Sequence, residues 1–60
     1  MSCCSKAWVY PIGGGDYVYS TLVKGFEADA EEKAMKWILE NGLNPAEYHI
    51  YSEDVTNKYA

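Results

Sequence analysis

Sixty residues, 48% of them hydrophobic and 15% aromatic, describe one small globular domain and exclude an intrinsically disordered chain. The formal net charge is −4 and all five cations are lysines, with no arginine. That argues against phosphate-backbone binding, which depends on Arg and Lys displacing counterions, and is compatible with a basic protein partner. No apolar run is long enough to span a membrane and no signal-peptide pattern opens the sequence, so a cytoplasmic location is expected, the host cytoplasm if the protein is viral.

A chain of this length buries only about 60% of the surface its unfolded form exposes. Its core is thin, and a dimer or a bound partner would supplement it. The whole of 1–60 is expected to be one α+β domain, with residues 1–5 and 54–60 loosely ordered. Cys3 and Cys4 are adjacent. A disulfide between neighbours closes a strained small ring, so two reduced thiols on a loose N-terminus are expected. Lipidation of the pair is the lesser reading.

Lys6 to Ile12, KAWVYPI, reads as a strand because it is rich in β-branched and aromatic residues. Pro11 cannot donate to a ladder and belongs at the strand end. Gly13, Gly14, Gly15 and Asp16 then read as a hairpin loop. They do not read as a phosphate cradle, since no helix and no Lys-Ser/Thr pair follows. Tyr17 to Lys24, YVYSTLVK, is the second strand, with Gly25 marking a bulge or bend. Phe26 is expected to fold inward and close one end of the core.

Asp29 to Gly42, DAEEKAMKWILENG, is an amphipathic helix. Asp29 reads as the N-cap with Glu32 three residues on, and Gly42 as the residue that stops the helix in a left-handed conformation, with Leu43 folding back on Ile38. Ala30, Ala34, Trp37 and Ile38 fall on one face at helical spacing, and Glu32, Lys36 and Glu40 on the other. The alanines suit close approach to a sheet. Met35 and Leu39 lie off the stripe, packed under a neighbouring loop or, less favoured, touching a partner. Asn44, Pro45 and Ala46 form a turn. Glu47 to Glu53, EYHIYSE, is the third strand.

The order is therefore β-β-α-β. A right-handed crossover places the third strand antiparallel beside the first, giving a three-stranded antiparallel sheet of order 2-1-3 with one helix on one face. A parallel neighbour for the second strand is the less favoured topology. Period-two alternation then sets Val9, Val18, Leu22, Tyr48 and Ile50 toward the helix. It leaves Trp8, Tyr10, Tyr17, Tyr19, Val23, His49 and Tyr51 on an uncovered, aromatic-rich face; a one-residue slip at a bulge in the second strand would move its tyrosines. Such a face reads as an interface. Docking to another protein and self-association fit it about equally. Base stacking on single-stranded nucleic acid fits poorly, because the chain is acidic.

Catalytic chemistry is missing. The single histidine, His49, sits mid-strand among tyrosines, and the two cysteines have no positioned base. No zinc-ligand spacing is present, and the chain is too short to enclose a pocket of the usual volume. Glu27, Asp29, Glu31 and Glu32 cluster at the helix start, where capping and dipole compensation account for them. We expect no enzyme, metal or cofactor.

From Trp8 to Glu53 the layout resembles small phage-encoded proteins that bind and inhibit host enzymes, most closely podovirus inhibitors of bacterial RNA polymerase with a β-β-α-β arrangement. The resemblance is carried by the aromatic first strand, the short loop, the second strand, the acidic helix start FEADAEEKAMKW and the third strand after a short turn. It differs in the absence of arginine, so no binding residue is transferred and polymerase is not implied as the target. What the resemblance implies is a viral accessory protein that inhibits or redirects a host protein by occupying its surface. Anti-CRISPR and anti-restriction proteins belong to the same class, some of them imitating DNA with acidic surfaces. Here Glu27, Asp29, Glu31, Glu32, Glu40 and Glu47 could supply such a surface. Partner-binding residues are thus expected on the sheet face (Trp8, Tyr10, Tyr17, Tyr19, His49, Tyr51) or at the helix start (Glu27, Glu31, Glu32). A homodimeric structural module, or a single-stranded nucleic-acid binder using the same face, is the alternative.

Overall fold

A computed structural model describes residues 4–59. Its elements run β1 (Ser5–Pro11), β2 (Tyr19–Val23), α1 (Glu27–Glu40), one 3₁₀ turn (Pro45–Glu47), β3 (Tyr48–Asp54) and a short α2 (Thr56–Tyr59). The three strands form an antiparallel sheet in the order β2-β1-β3, with α1 laid on one face. The architecture is the α+β arrangement the sequence implies.

The core lies between α1 and the sheet. Ala7 and Val9 of β1 meet Ala30, Ala34 and Ile38 of α1, all fully buried, with Tyr19, Val23, Trp37, Leu43, Tyr48 and Ile50 packed around them. Three of those five central residues are alanines. The helix therefore approaches the sheet closely, but each contact buries little apolar area, at about 25 cal/mol per Å².

The helix begins three residues earlier than its sequence suggests. Phe26 is the N-cap and Asp29 stands at the third helical position, where its carboxylate accepts the Phe26 N–H at 3.0 Å. A phenylalanine side chain has no acceptor to return the bond, so this is one half of a capping box. Phe26 consequently points outward, 73% exposed, instead of closing the core. The other end behaves as expected. Gly42 has φ +69°, its N–H donates to Leu39 C=O, and Leu43 N–H donates to Ile38 C=O at 3.0 Å. That is a Schellman motif with Leu43 folded back against the core.

The second strand departs from simple alternation. Val18 N–H donates to Val9 C=O at 2.8 Å, while Tyr19 is the register partner of Val9. Two residues thus stand against one, the count that makes a β-bulge. The bulge sits before Tyr19, and Gly25 marks a bend after the strand. It reverses the facing of the strand: Tyr19 and Val23 turn toward the helix, while Val18 and Leu22 are exposed. Met35 and Leu39 are also exposed, with no loop over them.

Cys4, Ser5 and residues 54–56 are better anchored than expected. Ser5 opens β1, and its hydroxyl donates to Gly25 C=O at 2.8 Å. Cys4 is buried, Val55 N–H donates to Cys4 C=O at 3.1 Å, and Val55 is buried too. Cys4 thus lies inside the structure, not on a loose tail. Asp54 closes β3 and starts α2, its carboxylate accepting from Thr56 N–H and Oγ1–H. Residues 1–3, including Cys3, and Ala60 lie outside the described residues.

Candidate functional site: the open face of the sheet

The β-register fixes which side chains share the uncovered face. Across the sheet, Leu22, Lys6 and Glu53 form one row, and Ser20, Trp8 and Tyr51 the next. Tyr10 and His49 form a third. Trp8 and Tyr51 are direct cross-strand neighbours, their ring centroids 5.7 Å apart and tilted by 40°. Tyr17 comes in from the loop, edge-on to Tyr10 at 6.0 Å. Lys6 Nζ lies 5.2 Å from the Trp8 ring centroid, a cation–π contact worth about 0.5–1 kcal/mol at an exposed site.

The result is an aromatic strip down the middle of the face with polar groups at its borders: Lys6, Glu53, His49 and Ser20. Tyr51 is 51% exposed, Tyr17 and His49 are exposed, and Trp8 and Tyr10 are half-buried. Ring-on-ring support holds the strip in place without covering it. Rigid rings with polar tips in a charged frame are what protein interfaces select.

Five of the six aromatic-face residues named from the sequence are gathered here: Trp8, Tyr10, Tyr17, His49 and Tyr51. Tyr19 is not. Its ring stacks on Trp37 at 4.4 Å and 10° on the helix side. The bulge explains the difference, because it breaks the two-residue repeat between Tyr17 and Tyr19.

The acidic helix start is divided, not a single surface. Ser52 Oγ–H donates to Glu31 in a short hydrogen bond, which ties Glu31 to the β3 flank. Glu32 lies on the β2 flank, in an open groove of about 430 Å³ lined by Tyr19, Asp29, Glu32, Lys33, Lys36, Trp37 and Glu40. Asp29 is engaged as the cap. Glu27 is an exposed first-turn acid beside the positive end of the helix dipole. The groove is in the size range of ligand sites, which the length of the chain did not suggest. It exists because the Tyr19–Trp37 stack stands up beside the helix. Its two lysines and three acids leave it only slightly acidic, so it selects no one class of ligand by charge.

Among the described residues, no three His, Cys, Asp or Glu side chains gather as a metal-binding group, and no helix is long and apolar enough to cross a membrane. No family model, curated protein or solved structure matches this chain.

Proposed function

We propose that this protein is a non-enzymatic binding module whose open sheet face docks on another protein. The reading is supported by one observation above the rest: a mutually braced aromatic strip of Trp8, Tyr51, Tyr10 and Tyr17, left uncovered by the helix and bordered by Lys6, His49 and Glu53. In a chain with a core this thin, large rings facing water carry a cost that a partner surface removes. The acidic balance favours a partner with a basic surface. By its layout we place the protein with phage accessory proteins that inhibit or redirect a host protein by surface occupation, acting in the host cytoplasm.

The test is an affinity capture from bacterial lysate, with and without nuclease, comparing the wild-type chain with Trp8→Ala/Tyr51→Ala and with Glu31→Lys/Glu32→Lys. Far-UV circular dichroism checks that each variant is folded. A stoichiometric protein retained by the charge-reversed variant and lost by the aromatic one supports the sheet face. The opposite pattern moves the site to the helix start. Recovery of nucleic acid, lost on nuclease treatment, replaces the proposal with base stacking.

A further inference from the structure

The free edge of β3 has a geometry of its own. Ile12 N–H donates to Glu47 C=O and Val55 N–H to Cys4 C=O, both across the β1–β3 pairing. In an antiparallel ladder the inward-bonding residues alternate. Residues 47, 49, 51, 53 and 55 therefore bond toward β1, and Ile50 and Ser52 turn their amides and carbonyls outward. Among the described residues, none pairs with these outward backbone groups.

Natural edge strands are usually blunted by lysine, proline or a bulge. The β2 edge is guarded in this way, with the bulge before Tyr19 and Lys24 after its end. The β3 sequence, YHIYSED, has none of these.

We infer that β3 pairs with β3 of a second copy of this chain, antiparallel and centred on Tyr51, joining the two sheets into one. The register follows from side-chain chemistry. Centring on Tyr51 sets all of Tyr48–Asp54 against the partner strand. It places His49 opposite Glu53 of the second copy, and Glu53 opposite its His49, a donor against a carboxylate. Moving the centre one pair toward the C-terminus shortens the ladder, and a further step sets Glu53 against Glu53. Moving it toward the N-terminus brings Glu47 against Glu53. The two acids thus disfavour the N-terminal register and the second C-terminal one, since like charges directly opposite are destabilising, and the shorter ladder disfavours the register between.

In the favoured register Ile50 and Ser52 of the two copies exchange both backbone hydrogen bonds. Tyr51 meets Tyr51 in a non-hydrogen-bonded pair, where side chains lie closest. The aromatic row then runs without a break from Trp8 through both Tyr51 rings to the second Trp8. The Glu31–Ser52 contact lies on the helix face and does not obstruct the seam. The seam uses the strand edge and leaves the open face available, doubled across a two-fold axis.

The experiment is sedimentation velocity on the full chain over a concentration series from micromolar to millimolar, with photo-oxidative dityrosine cross-linking mapped by mass spectrometry. The inference predicts a monomer–dimer equilibrium and a Tyr51–Tyr51 cross-link. His49→Glu faces Glu53 with a like charge and should weaken the dimer roughly tenfold, while His49→Glu/Glu53→Lys should recover it. Both side chains lie on the open face, so the core is untouched. A monomer throughout the series overturns the inference. So does a dimer cross-linked through Tyr10 or Tyr17 without Tyr51, which would mean stacked faces. A dimer indifferent to His49→Glu overturns it as well.

Discussion

Gly25→Ala is the substitution whose outcome the local geometry fixes most sharply. A Cβ at Gly25 would lie 2.7 Å from Asp29 Oδ2 and 3.5 Å from Asp29 Cγ. Gly25 is not among the positive-φ glycines, so its backbone accepts alanine without strain. The carboxylate must therefore swing away, and with it goes the 3.0 Å bond from Phe26 N–H that caps α1. Losing such a cap costs about 1 kcal/mol. Against this, Gly→Ala restricts the unfolded chain and returns about 0.4–1 kcal/mol. The net destabilisation expected is between about zero and 0.6 kcal/mol. In an Asp29→Ala background there is no carboxylate to displace, and Gly25→Ala should change sign, stabilising by about 0.4–1 kcal/mol. The assay is urea denaturation of the four chains of the cycle, followed by far-UV circular dichroism. A coupling energy of about 1 kcal/mol is expected. If the two substitutions are additive, Asp29 does not cap the helix through Phe26 and the reasoning fails.

Three further outcomes are expected. Ile38→Ala empties the centre of the core, where Ile38 is fully buried, and should cost about 2–5 kcal/mol, while Leu39→Ala one residue away, at 59% exposure, should cost well under 1; denaturation midpoints compare them directly. The Tyr19–Trp37 stack should show a coupling of about 0.5–1.5 kcal/mol in a Tyr19→Ala, Trp37→Ala cycle, and its absence would return Tyr19 to the open face. Ser5→Ala, which removes the hydroxyl holding Gly25 C=O from a position 1% exposed, should cost about 1–3 kcal/mol in the same assay, and a neutral effect would mean that this bond does not hold β1 to the β2–α1 junction.

Much of the fold was legible because its signals are local. The Asn41-Gly42-Leu43 stop requires a left-handed residue, and that requirement can be read from three letters. The strand order follows from handedness and from the position of Pro11. The misread features are those set by pairs distant in sequence. The sequence allows a slip in the second strand but does not locate it, so simple alternation sets Tyr19 on the open face and hides the groove beside Trp37. Phe26 looks like a core residue by hydrophobicity, whereas its backbone is committed to the cap and its ring is carried outward. Cys4 and Val55 look like terminal residues in the sequence, yet each closes the other's end of the sheet through a single backbone bond. The aromatic face survived the strand-two error because β1 and β3 supply most of it, and neither contains a bulge.

The central claim is that the open sheet face holds the partner. Hydroxyl-radical footprinting of the captured complex against the free protein, read at single side chains by mass spectrometry, tests it most directly. The account predicts that Trp8, Tyr10, Tyr17 and Tyr51 lose reactivity on complex formation while Phe26 and Leu39, exposed on the helix side, keep theirs. A complex in which the four aromatic residues stay as reactive as in the free chain, with protection falling instead along α1, would contradict it.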